Sequence, residues 1–71
     1  MPKLYSSLEI ENVLLKNGFV FKTQKGSHGK FKHQDGRIVI LPMNRKEIPI
    51  GTFRSILKQI GITKEEFEKL V

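Results

Sequence analysis

Two histidines and a run of lysines are the residues of this chain whose character and placement point to chemistry. His28 follows Gly26-Ser27 and stands among Lys22, Lys25, Lys30 and Lys32, while His33 lies five residues further on. Gly29, directly after His28, is expected to leave the backbone open to close approach. An imidazole beside several ammonium groups suits work on a phosphodiester. The ring moves a proton, and the lysines hold the phosphate and stabilise its developing charge. RNA supplies its own nucleophile, the 2′-hydroxyl, so such a site asks less of the protein than cleavage of DNA does. One general acid or base contributes about 10² to 10⁴ in rate, so a slow enzyme is expected. His33 is predicted on the same side as Phe31, where a partly buried structural histidine is the expected role. The ordinary alternative for His28 is an exposed ring without function, and for each lysine a solvated charge on an exposed strand.

Other chemistries lack their parts. Odd spacing on a strand sends the rings of His28 and His33 to opposite faces, and no carboxylate cluster is present to complete a metal site. Ser27 has no acid at triad spacing, and Gly26 and Gly29 do not make a Walker loop. Neither a metal nor a small-molecule cofactor is expected. The chain has 71 residues and no Cys, which removes disulfides and thiolate zinc sites and leaves too little volume for a multi-domain enzyme or a deep cofactor pocket. Its formal charge of +6 is concentrated: Lys22, Lys25, Lys30, Lys32, Arg37, Arg45 and Lys46 face only Asp35 between residues 18 and 46, and both flanks are neutral. A concentrated basic segment points to a polyanion, with nucleic acid ahead of an anionic membrane or an acidic protein. The opening MPKLYSSLEIENV has no signal-peptide apolar region, and no run approaches the roughly 18 apolar residues of a membrane span. A cytoplasmic protein without a membrane partner is the expectation.

The elements that must position these residues follow from pattern. Ser6 and Glu9 form a capping box, and Leu8, Ile10, Val13, Leu14 and Leu15 fall at helical spacings before Gly18, which predicts a helix over 7–17. The period then changes. Phe19 to Lys25 alternates as a strand ending at Gly26-Ser27, and residues 28–33 and 37–41 are two more, joined at Asp35-Gly36. A two-residue loop there predicts Phe31 opposite Ile40 and His33 opposite Ile38, with Phe31, Ile38 and Ile40 on the apolar side and His28, Lys30 and Lys32 on the other. Pro42 ends the third strand. A second helix carries the stripe Phe53, Ile56, Leu57 and Ile60, and Gly61 stops it; Thr63 and Glu66 cap a third, from which Phe67, Leu70 and Val71 pack back. The order α-β-β-β-α-α predicts an α+β fold, a three-stranded antiparallel sheet with its helices on one face and its lysines on the open one. Phe19, Phe21, Phe31, Ile38, Ile40, Phe53, Ile56, Leu57 and Ile60 are the expected core.

The sequence also resembles the HicA toxins of HicA–HicB toxin–antitoxin pairs, also called YcfA-like proteins. The resemblance begins in LLKNGFVFKTQKGSH, with Asn17-Gly18-Phe19 and Lys25-Gly26-Ser27-His28. It continues through FKHQDGRIVILP and ends in IGTFRSILKQIGITKEEF, so that it runs over nearly the whole chain. It implies one HicA-like domain over 1–71 with a double-stranded-RNA-binding-domain-like fold, acting as a metal-independent ribonuclease that cleaves mRNA and arrests translation. A HicB-like antitoxin that covers the active site is implied as partner. The family's catalytic histidine falls on His28, at the Gly-Ser-His motif. Many members carry a second histidine directly after it, where this chain has Gly29.

Residues and resemblance together give an endoribonuclease toxin (mRNA interferase). His28 is its general acid or base, Lys22, Lys25, Lys30 and Lys32 are its RNA contacts, and Gly26 and Ser27 shape the turn that presents His28. The second proton-transfer group has no candidate beyond a lysine or a water. A noncatalytic RNA-binding module using the same basic face is the alternative, and an interaction domain for an acidic protein is a third reading.

Overall fold

The structure, a computed structural model, describes residues 3–71; Met1 and Pro2, which open the expected 1–71 domain and its leading segment, lie outside them. The element order is α1 (Ser7–Lys16), β1 (Phe19–Lys25), β2 (His28–His33), β3 (Ile38–Pro42), α2 (Ile50–Ile60) and α3 (Lys64–Leu70). This is the expected α-β-β-β-α-α order. The strands form one antiparallel sheet in the order β1-β2-β3.

Both capping boxes form. Ser6 Oγ accepts from the Glu9 N–H and the Glu9 carboxylate accepts from the Ser6 N–H, and Thr63 and Glu66 repeat the exchange. Each hydroxyl cap satisfies an amide that the first turn leaves unpaired, worth about 1 kcal/mol. In α1, Ile10, Val13 and Leu14 are buried, but Leu8 and Leu15, expected in the same stripe, are exposed. At about 100° per residue, positions 8 and 15 stack on each other and lie opposite 10, 13 and 14, so one sheet cannot cover both sets. In α2 the expected Phe53, Ile56, Leu57 and Ile60 are buried, and Gly61 closes the helix at φ 86°. Phe67 of α3 packs edge-on to Phe53 at 4.9 Å and to Tyr5 at 4.8 Å, with Leu70 partly covered beside the core, whereas Val71 is exposed.

The β2–β3 register differs from the expected one. His33 N–H donates to the Arg37 carbonyl and Gly36 N–H to the His33 carbonyl, so the loop holds three residues, Gln34, Asp35 and Gly36, the last at φ 100°. This is the three-residue hairpin with a left-handed glycine, rather than a two-residue turn. One added loop residue slides the pairing by one and turns every β3 side chain to the other face. Phe31 pairs with Val39, Lys30 with Ile40 and Lys32 with Ile38. Val39 and Leu41 are therefore buried, and Ile38 and Ile40, expected in the core, stand 41% and 42% exposed on the open face. Phe21, also expected in the core, is on the helix side opposite Phe31 but 47% exposed, and of β1 only Phe19 is buried. The core is completed by Tyr5 and Ile48, joined through the Ile48 N–H and the Tyr5 carbonyl. Burying a Phe, Leu or Ile fully is worth about 1.5–3 kcal/mol each.

Candidate functional site

The open face of the sheet is built in three cross-strand rows: Lys25, His28 and Pro42; Thr23, Lys30 and Ile40; Val20, Lys32 and Ile38. The opposite face carries Gln24, Gly29 and Leu41, then Phe21, Phe31 and Val39, then Phe19 and His33. A period of two alone does not produce this arrangement. Phe21 pairs with Phe31 on the core side and Lys25 with His28 on the open side, yet 21 and 25 have the same parity. The register shifts between Phe21 and Thr23, leaving Lys22 as the extra residue of a β-bulge. The bulge brings Lys22 and Lys25, three apart, to one face. Lys22 borders a depression with Val20, Lys32, Gly18, His33 and Gln34, and Lys25 borders another with Thr23, His28, Lys30 and Ile40.

Local sequence makes the turn that carries His28. Gly26 and Ser27 are the two loop residues between the paired Lys25 and His28, and of the two only Gly26 has positive φ, at 57°, the pattern of a type II′ turn. Gln24 Nε2 donates to the Gly26 carbonyl at 2.9 Å, and the Met43 N–H donates to the Ser27 carbonyl at 2.6 Å, tying the turn to the end of β3. Ser7 Oγ in turn donates to the Pro42 carbonyl at 2.6 Å and accepts from the Arg45 N–H at 3.0 Å. Gly29, expected to leave the backbone open to close approach, is buried. A Cβ there would lie 2.9 Å from Met43 Sδ, so position 29 faces the core and not the lysines.

The two histidines differ in what engages them. His33 is 18% exposed at its side chain, lies edge-on to Phe19 at 5.2 Å, and its Nδ1 accepts from the Asp35 N–H at 3.1 Å. His28 is exposed, and among the described residues no side-chain hydrogen bond or ion pair engages its ring. The acid of the basic segment is occupied elsewhere. Asp35 accepts from the Arg37 backbone N–H and guanidinium, which, with a smaller contribution from His33, hold its carboxyl below the usual carboxylate range. Arg37 also lies 5.1 Å over the Phe19 ring and donates to the Ile60 carbonyl at the end of α2. Asp35 is therefore engaged at the turn, away from the lysine rows.

The depression at His28 measures about 280 Å³, just below the roughly 300–1,000 Å³ expected of pockets that engulf a small ligand. It suits one unit of a polymer laid on the surface. Among the described residues, no group of three or more His, Cys, Asp or Glu is placed to hold a metal ion. No described helix is long and apolar enough to cross a membrane. The site thus brings His28, Lys25 and Lys30 together, with Lys22 and Lys32 along the same face. Thr23 was not singled out in the sequence, and Ile40 was assigned there to the core and not to this face; the parity conflict between the Phe21–Phe31 and Lys25–His28 pairs is the signal for Thr23, and the loop length is the signal for Ile40.

The family model described as HicA toxin of bacterial toxin-antitoxin matches residues 8–62. The chain belongs to the HicA toxin family. A comparison with curated proteins gives no match. The HicA match runs from the first residues of α1 to just past Gly61, and so includes every row of the open face. As a HicA toxin the chain has its place in a toxin–antitoxin system, which implies a cognate antitoxin.

Proposed function

We propose that this HicA toxin is an endoribonuclease that cleaves mRNA on the open face of its sheet, with His28 as general acid or base. The observation that carries the reading is the exposed, unengaged His28 ring in one depression with Lys25 and Lys30. In the step proposed, the 2′-oxygen bonds to phosphorus and the bond from phosphorus to the 5′-oxygen breaks, leaving a 2′,3′-cyclic phosphate and a 5′-hydroxyl. The 2′-hydroxyl gives up a proton and the leaving oxygen takes one. His28 handles one of these transfers, and water or a lysine the other. Lys25 and Lys30 hold the phosphate and stabilise its added negative charge. Gly26 and Ser27 fix the turn, and no metal takes part in the step. The partner we propose is a HicB-like antitoxin that covers this face.

The experiment compares wild type and His28→Ala on RNA and on DNA of the same sequence, with chelator present. The expected result is RNA cleavage by wild type that falls by about 10² or more in His28→Ala, whose fold and RNA affinity are kept, with no cleavage of DNA. RNA binding without cleavage by the wild type would favour the noncatalytic RNA-binding module. Cleavage of DNA would exclude the 2′-hydroxyl mechanism, and loss of activity in chelator would exclude the metal-free one.

A further inference from the structure

The three open-face rows are not symmetric about β2. Their central residues are His28, Lys30 and Lys32; their β3 residues are Pro42, Ile40 and Ile38; their β1 side carries Lys25, Thr23, the bulged Lys22 and Val20. Lysines thus lie along the middle and, Val20 and Thr23 apart, along the β1 side, and aliphatic side chains alone line the β3 side. Ile38 and Ile40 stay two-fifths exposed in a domain that buries Val39 and Leu41 completely. Ile40 borders the same depression as His28 and Lys30. The Ile40 N–H is taken up by Gln59 Oε1 at 3.0 Å, so the backbone of the β3 edge is occupied there while the side chain is left open.

A single nucleic-acid strand has the same asymmetry, with phosphates along one side and flat apolar bases along the other. We propose that single-stranded RNA lies lengthwise on β2, its phosphates toward the lysines of β1 and β2 and its bases against a rail formed by Ile38 and Ile40. The proposal rests on the ribonuclease reading of this face and adds an orientation to it. From His28 to Lys32 the strand advances about 13 Å, so more than one nucleotide is held. Charge complementarity selects the occupant. Apolar residues set directly beside lysines fit a partner carrying both characters at that spacing, and a duplex, whose bases are stacked inside, would leave the rail against its phosphates.

The test uses RNA oligonucleotides with 2′-O-methyl groups, which lack the nucleophile and stay intact, and a parallel set with abasic sites. The proteins are wild type, Ile38→Thr, Ile40→Thr and the double variant; Thr keeps the β-branch at an exposed strand position and removes apolar surface. Each substitution is expected to weaken binding of the base-bearing oligonucleotide roughly fivefold, from the apolar area lost. Binding of the abasic oligonucleotide is expected to change much less, and the log–log salt slope to stay the same in the double variant, because no phosphate contact has been removed. Equal losses on both oligonucleotides, or no loss on either, overturn the rail. Cleavage of ordinary RNA is measured alongside. Wild-type binding that senses the isoleucines without any cleavage upholds the rail and overturns the ribonuclease; cleavage with no effect of either isoleucine overturns the rail alone.

Discussion

Gly29 sits between two neighbours with opposite duties, His28 facing the open side and Phe31 facing the core two positions on. Its missing side chain is the space that Met43 fills. A Cβ at 29 would come 2.9 Å from Met43 Sδ and 3.0 Å from Cγ, so Gly29→Ala forces Met43 to move. Because Met43 is flexible and only partly buried, the expected cost is at most about 1 kcal/mol, measured by urea denaturation, and shortening the neighbour in Gly29→Ala/Met43→Ala should recover part of it. Strict additivity of the two single changes would mean that they do not meet. The sequence signalled a glycine of consequence here but assigned it to substrate approach. Strand alternation alone sends 29 to the face opposite 28, and that argument outweighs proximity in sequence.

At the scale of elements, the helices were legible because their signals are local: Ser6 with Glu9, Thr63 with Glu66, and Gly61 each lie within one turn of what they fix. The β3 register was not, because it depends on whether the loop at Asp35-Gly36 has two residues or three, and both turns favour that dipeptide. The choice is backed by tertiary contacts: Arg37 reaches from the hairpin to the Ile60 carbonyl and stacks over Phe19. The bulge at Lys22 was available to counting, since it alone reconciles the Phe21–Phe31 and Lys25–His28 pairings. A pH dependence belongs to this hairpin. The Asp35 carboxyl is held below its ordinary value by the Arg37 N–H and guanidinium, so its contribution is present above the unfolded carboxyl pKa of about 3.9 and is lost as pH falls through the lower folded value. Asp35→Asn should therefore lower Tm near neutral pH, and the difference from wild type should shrink as the solution is acidified below pH ~4. A difference that held constant into acid would locate the effect in the turn geometry and not in the charge.

For the molecule as a whole, the +6 charge that the sequence confines to residues 18–46 is placed largely on one side of one sheet, while Asp35 is occupied by Arg37. Binding of RNA should accordingly weaken with salt at a log–log slope of about 0.7 per phosphate neutralised. Replacing Lys22 and Lys32 with Ala should reduce that slope, and Lys58→Ala, at an exposed position of α2 in the neutral C-terminal flank, should leave it unchanged; titrations across a range of salt concentrations decide it. Equal effects of all three lysines would point to general charge rather than to this face. The core was foreseen where helices supplied it and misassigned on β3, yet the basic face stood in either register, because His28, Lys30 and Lys32 share β2 and β2 keeps its parity. Last, the turn bearing His28 does not hang free as a hairpin tip. Its Ser27 carbonyl is held by Met43, and the neighbouring Pro42 carbonyl and Arg45 N–H are held by Ser7 at the start of α1. The stretch of backbone that carries His28 is thus ordered by residues from both ends of the β-sheet region, and its loss of freedom is settled when the chain folds. On the proposed reading, an arriving RNA strand would find a surface already in shape, and the conformational adjustment would fall to the flexible RNA and not to the turn that carries His28.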